Sequence, residues 1–194
     1  MTRVCLVGDD DVNLRYELLS RETSREALAT QDLREPFENT VGIETVSLGG
    51  AVALVNDLDW YLVRFVDEAL ILEPSVSETE WLSRDLATAI RDDEVDPAET
   101  GRFLKVYGVE YPEREPAEAD TGNGASGPTG DAEQPSETTT EGAGTGTESA
   151  EPEEPPQLVE PMLLARTGGK LPEYDLRDVE ETLVVRVTES EFEG

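Results

Sequence analysis

Two stretches of this chain hold residue types that could do chemistry. The first is Gly8-Asp9-Asp10-Asp11, followed by Asn13-Leu14-Arg15. It comes straight after an apolar run, and carboxylates at the carboxyl end of a strand are hard oxygen donors suited to Mg²⁺. The competing account is a helix start, with Asp10 or Asp11 capping free backbone N–H groups in a chain already rich in acid. The second stretch, Arg166-Thr167-Gly168-Gly169-Lys170, puts two cations and two glycines into one connection. Glycine-freed amides beside Arg166 and Lys170 would receive a phosphate or carboxylate. Its spacing is not that of a phosphate-binding loop and no helix start follows, so a plain hairpin loop competes with the anion site. Acid–base chemistry by paired carboxylates is a third option, but no pair stands out among 45 acidic residues. With no histidine in the chain, the histidine-based triads are excluded. No cofactor fingerprint is present, and no cofactor is expected.

The composition narrows the setting. Lys and Arg number 15 against 45 Asp and Glu, for a formal net charge of −30 over 194 residues. Of the cations only Lys105 and Lys170 are lysine. A charge of this size points to disorder, to an acidic partner-binding tail, or to a protein made for concentrated salt. The acid is spread over every expected helix rather than gathered in a tail, which favours salt. At about 1 M salt the Debye length falls to about 3 Å, and self-repulsion of the compact state is largely screened. Scarce lysine also removes long apolar stems from the surface. Cys5 is the lone cysteine, so neither an internal disulfide nor a zinc framework is expected. It lies in the apolar run Val4–Val7, as a buried structural thiol would. Asp9–Asp11 interrupt the apolar start too early for a signal peptide, and no apolar run approaches membrane-spanning length. The expectation is a soluble, cytoplasmic protein without membrane association.

The elements that would position these residues follow from periodicity. Arg3–Val7 reads as a strand, and a helix carrying Val12, Leu14, Leu18 and Leu19 follows. Thr23 and Glu26 have the spacing of a capping box for a second helix that must stop before Pro36. Val41–Leu48 reads as a strand, and Ala51, Val52, Leu54, Val55 and Leu58 as a short buried helix. The run Asp59–Pro74 holds the densest apolar residues and reads as two central strands meeting at Asp67-Glu68. Ser77 and Glu80 form a capping box, with Val76 and Trp81 as its staple, for a helix turning Trp81, Leu82, Leu86, Ala89 and Ile90 inward. Asp96-Pro97 starts another helix, burying Phe103, Leu104, Val106 and Tyr107 and ending at Gly108.

From Pro112 to Pro156 there is no Val, Ile, Leu, Met, Phe, Tyr or Trp. Such a segment buries too little to offset the entropy of ordering it, and residues 112–157 are expected to be a disordered acidic insertion. Leu158–Arg166 and Glu181–Thr188 then read as strands. Two strands alone make a poor domain. The expectation is therefore one discontinuous α+β domain, residues 1–111 with 158–194. It would have a mixed sheet of about five or six strands and helices packed on it.

Two resemblances add to this. Residues 3–19, with an echo at Trp60–Asp67, look like the opening of a phosphoacceptor receiver domain. That resemblance implies phosphorylation at Asp67, but Asp67 runs on into a strand and no later strand ends in the required lysine. The runs Arg3-Val4-Cys5-Leu6-Val7-Gly8, Asn13–Thr23 and Trp81–Thr88 look like an uncharacterised haloarchaeal family of unknown function. This implies a cytoplasmic haloarchaeal protein and carries no activity with it. The leading functional expectation is a non-catalytic binding or regulatory module acting on a protein partner. A small enzyme or anion and nucleotide sensor near Arg166–Lys170, or a degenerate receiver, are the alternatives. Direct nucleic-acid binding is disfavoured for want of a basic stripe.

Overall fold

Val4, Cys5 and Leu6 are consecutive and all are buried, so the strand that carries them must be covered on both faces. The computed structural model, which describes residues 1–112, 154–167 and 173–194, shows how. Strand β1 (Thr2–Gly8) turns Val4 and Leu6 to a layer of helices and Cys5 to a second core on the other side. The remaining strands are β2 (Thr40–Thr45), β3 (Val66–Leu72), β4 (Trp81–Ser83), β5 (Phe103–Glu110), β6 (Gln157–Ala165) and β7 (Glu181–Arg186). They form one seven-stranded sheet in the order β2-β1-β3-β4-β7-β5-β6. Every neighbouring pair is antiparallel except β4 with β7. The fold is thus α+β with a mixed sheet, one strand larger than expected. Strand β7 lies inside the sheet, between β4 and β5, rather than being appended to it. The tract expected to be disordered lies outside the described residues but for its ends. At one of these the Pro156 carbonyl accepts from the Glu38 N–H at 2.8 Å, and β6 begins at Gln157.

The helices α1 (Leu14–Ser20), α2 (Glu22–Leu28), α3 (Leu48–Asp57), α4 (Asp59–Phe65) and α5 (Arg84–Arg91) pack on the Val4–Leu6 face. The short α6 (Glu189–Glu193) lies on the other, where Phe192 meets Phe103. Several starts differ from expectation. Asn13, not Asp10 or Asp11, caps α1, its Oδ1 accepting from the Tyr16 N–H at 2.9 Å. The Thr23–Glu26 box does not form. Arg21 both ends α1 and begins α2, so Thr23 is already inside the helix.

The largest correction concerns the central run. Residues 59–65 are helical, and only Val66–Leu72 is extended. The buried residues Leu58, Tyr61 and Leu62, with Phe65 packed beside them, recur at i, i+3, i+4 and i+7. Trp60 and Val63 face outward, 52% and 79% exposed. The strand preference of Trp, Tyr and Val yields to that helical burial pattern. Arg64 is exposed, its guanidinium over the Trp60 ring at 4.8 Å.

Two further helices are shorter than expected because side chains found other partners. Ser77 Oγ accepts from the Glu80 N–H at 3.0 Å, half of the expected capping box. The other half fails because the Glu80 carboxylate is taken by Arg166 and Arg186. Trp81–Ser83 is then free to pair as β4, and Ser83 caps α5 by accepting from the Leu86 N–H at 3.2 Å. Asp96 does cap a turn that has Pro97 first, but this is a single 3₁₀ turn, Pro97–Glu99. Gly101, at φ +90°, breaks it and releases Phe103–Glu110 as β5. Gly108 ends no helix. It admits Tyr174, whose hydroxyl would lie 3.0 Å from a Cβ at that position.

The sheet is strongly curled. Strands β3 and β5 are separated by β4 and β7, which in a flat sheet would put them about 14 Å apart. Lys105 Nζ of β5 nevertheless bonds Glu68 Oε2 of β3 at 2.7 Å, and Cys5 shares a core with Tyr107. The three-residue length of β4 permits so sharp a bend.

Candidate binding cleft

Where the curled sheet faces itself, a cleft of about 420 Å³ opens between the α4–β3 junction, the start of α5, β5, β6 and α6. Its walls are apolar and partly open to solvent: Val63 and Val66 on one side, Leu163 on the other. Its floor is polar and closed. Glu68 sits there because β3 alternates, placing it on the same face as Leu70. Lys105 and Tyr107 reach it because they share one face of β5. Glu68 Oε2 accepts from both the Lys105 ammonium and the Tyr107 hydroxyl. Burial, together with the Glu68 charge and hydrogen bond, pushes the Tyr107 phenol well above its ordinary pKa. It therefore remains protonated and donates. Ser83, itself buried, donates to Glu191 Oε2 at 2.8 Å, and that oxygen also accepts from the Thr188 N–H and hydroxyl. On the rim, Arg84 is bound to Asp59 at 2.6 Å and Asn56 at 3.2 Å. Asp67 and Asp85 are exposed there.

Apart from the two rim aspartates, each of these polar groups is engaged by another. Among the described residues the Ser83 hydroxyl bonds only Glu191 Oε2, an oxygen that already accepts twice from Thr188. Lys105 is an ammonium held by its counter-ion. What the arrangement offers a ligand is shape and apolar contact.

A second arrangement joins distant parts of the chain. Glu80 is shared by Arg166 and by Arg186, the latter at 2.6 Å, and Arg186 also donates to Thr100 Oγ1 at 2.9 Å. Side-chain exposures of 18%, 22% and 14% for Glu80, Arg166 and Arg186 leave the cluster mostly out of water. Burial alone would raise the Glu80 pKa, but the hydrogen bonds and charges of the two arginines outweigh it and hold the carboxyl below its ordinary value. Arg166 Nε is buried and has no hydrogen-bond partner among the described residues. Gly101 lies against both guanidinium groups; a Cβ there would be 3.1 Å from Arg166 Nη1.

The expected site residues fall as follows. Asp9 is a turn residue, its N–H donating to the Phe65 carbonyl at 3.1 Å and its Oδ1 accepting from the Asp11 N–H at 3.3 Å. Asp10 and Asp11 are exposed. Among the described residues no three His, Cys, Asp or Glu side chains gather closely enough to hold a metal ion, Asp9–Asp11 included. Arg166 is in the Glu80 cluster, while Gly168, Gly169 and Lys170 lie outside the described residues. The receiver reading falls: such a sheet is parallel and doubly wound, whereas β1 is antiparallel to both of its neighbours. Sequence reasoning missed Glu68, Lys105, Tyr107, Glu80 and Arg186 as partners. The one usable signal was Phe103-Leu104-Lys105-Val106-Tyr107, where a rare lysine alternates with aromatic residues as on a strand.

Residues 2–109 match the model of a family described as a family of unknown function (DUF5804). The chain belongs to that family. The matched span runs from β1 almost to the end of β5 and so includes α4, Glu68, Lys105 and Tyr107, but stops before Leu163 and Glu191. No curated protein matches the chain, and no solved structure does.

Proposed function

We propose that this family member is a non-catalytic module that binds another protein in the cleft between α4 and β6. The observation that carries this is the pairing of exposed aliphatic walls with a self-satisfied polar floor. Val63 and Leu163, one hundred residues apart in sequence, both line one concavity while 79% and 45% exposed. Exposed apolar surface gathered in a cleft is what a partner covers. We also read the chain as adapted to a haloarchaeal cytoplasm, on the strength of its net charge of −30 and its arginine-biased cations. No helix among the described residues is long and apolar enough to cross a membrane. Random dodecapeptides displayed on phage and selected on the full chain in molar KCl test the cleft. Enriched peptides should bind the Val63→Asp/Leu163→Asp double variant at least about tenfold more weakly, a difference of about 1.4 kcal/mol. Equal binding to both proteins, or no enrichment, overturns the proposal.

An anion site at Arg166 is the second reading, now with Arg186 beside it. It is favoured by two guanidinium groups sharing one carboxylate, which among the described residues leaves one positive charge over. A thermal-stability gain with phosphate in KCl that disappears on Lys170→Ala supports it; no gain removes it.

A further inference from the structure

We infer that the partner docks as an added β-strand along the outer edge of β6, an inference that rests on the cleft being a protein-binding site. Strand β6 ends the sheet. Two bonds fix which way its backbone faces. The Arg166 N–H donates to the Arg102 carbonyl at 2.8 Å, and the Val187 N–H to the Phe103 carbonyl at 3.1 Å. Arg102 therefore points toward β6 and Phe103 toward β7, and alternation along β5 sends Leu104 and Val106 toward β6. Their register partners are Leu164 and Met162. Leu163 and Ala165, between and beyond them, direct their N–H and C=O groups away from the sheet. Among the described residues these groups meet only the Thr167 hydroxyl, 3.4 Å from the Ala165 carbonyl.

The strip has a built-in limit. Pro161 carries no N–H, and Glu160, at φ +27°, sits where the β5–β6 register shifts, so regular pairing stops there. The connection that leaves β6 is described again from residue 173. There Tyr174 lies over Gly108, on the sheet face opposite Tyr107 and Val109 and hence opposite the cleft. The Leu163 side chain, by contrast, lines the cleft. A strand laid along residues 162–165 would set alternate side chains over the cleft mouth, beside Val63. Main-chain bonds would then supply affinity and the apolar walls selectivity.

Charge selects the occupant: an extended apolar segment of another protein, flanked by lysine or arginine. Asp67 and Asp85 are exposed at the mouth, while Arg84 is bound to Asp59 and Lys105 to Glu68. A second copy of this chain, with 15 cations against 45 acidic residues, is a poor source of such flanks.

The test uses a synthetic peptide enriched in the selection above. Ala165→Pro removes an outward N–H of the strip, leaves the bonds to β5 in place as edge strands tolerate, and alters no side chain that lines the cleft. It should weaken the peptide about tenfold or more. On the unaltered protein, N-methylation of the peptide backbone should abolish binding at one alternate set of positions and leave the other set unaffected. This second arm decides the matter if Ala165→Pro does not fold. A peptide that binds wild type and Ala165→Pro alike, or that ignores N-methylation, overturns strand addition while leaving the cleft reading intact. No enriched peptide overturns both.

Discussion

Replacing Glu80 by glutamine should cost this protein a large part of its stability. The substitution keeps shape but replaces a carboxylate that accepts from Arg166 on one oxygen and Arg186 on the other, so that one of the two donors meets an amide NH2 instead of an acceptor. One charge-assisted bond, about 1.5–3 kcal/mol, is lost outright, and the other is left with an uncharged acceptor. Two guanidinium groups left without a counter-charge push the total toward the roughly 3–5 kcal/mol of a broken buried pair. With side-chain exposures of 14–22% across the cluster, screening removes little of this even in concentrated salt. At about 3 kcal/mol the melting temperature should fall by roughly 6–12 °C for a chain of this size. Urea and thermal melts of Glu80→Gln in molar KCl measure it. Arg84→Gln, which breaks a pair with the 57%-exposed Asp59, is the control and should cost under about 1 kcal/mol. The pH dependence supplies a second readout. The Glu80 pKa is depressed in the folded state, so its contribution is complete above the unfolded value and is lost as pH falls through the folded one. Acid should therefore destabilise wild type more steeply than Glu80→Gln. A loss under about 1 kcal/mol, or equal losses from Glu80→Gln and Arg84→Gln, would refute the claim that this cluster ties the late strands to the β3–β4 loop.

Other outcomes follow from single positions. Gly101→Ala should destabilise by about 1–2 kcal/mol in the same melts, because φ is +90° and a Cβ would press on Arg166 Nη1. Leu62→Ala should cost about 2–5 kcal/mol, while Val63→Glu next to it stays within about 0.5; a reversed order would restore the strand reading of residues 59–65. The Cys5 thiol is fully buried, and burial pushes its pKa up to about 12. Iodoacetamide should leave it unmodified in the native protein at pH 8 and label it fully in urea, as intact mass will show.

Much of the strand layout was legible in the residues. Apolar runs bounded by glycine or polar residues located β1, β2, β6 and β7, and the burial pattern of Ala51–Leu58 located α3. Local capping chemistry was also legible at Asp96, where the predicted bond forms. Yet a cap only permits a helix. At Glu80 the same chemistry misled, since the carboxylate the box required was claimed by arginines 86 and 106 residues further along. Nothing in residues 76–90 announces those partners.

By itself, then, the amino-acid order determined the solvent-facing charge, the alternation that marks most strands, and the i, i+3, i+4, i+7 stripe of α4, present though overlooked. Each depends on neighbours within a few residues. Only tertiary structure decided that β7 enters between β4 and β5, that Lys105 meets Glu68, and that Leu163 comes to line the same cleft as Val63. Those outcomes come from the curl of a whole sheet, which sums small twists over seven strands and so has no signature in any single one.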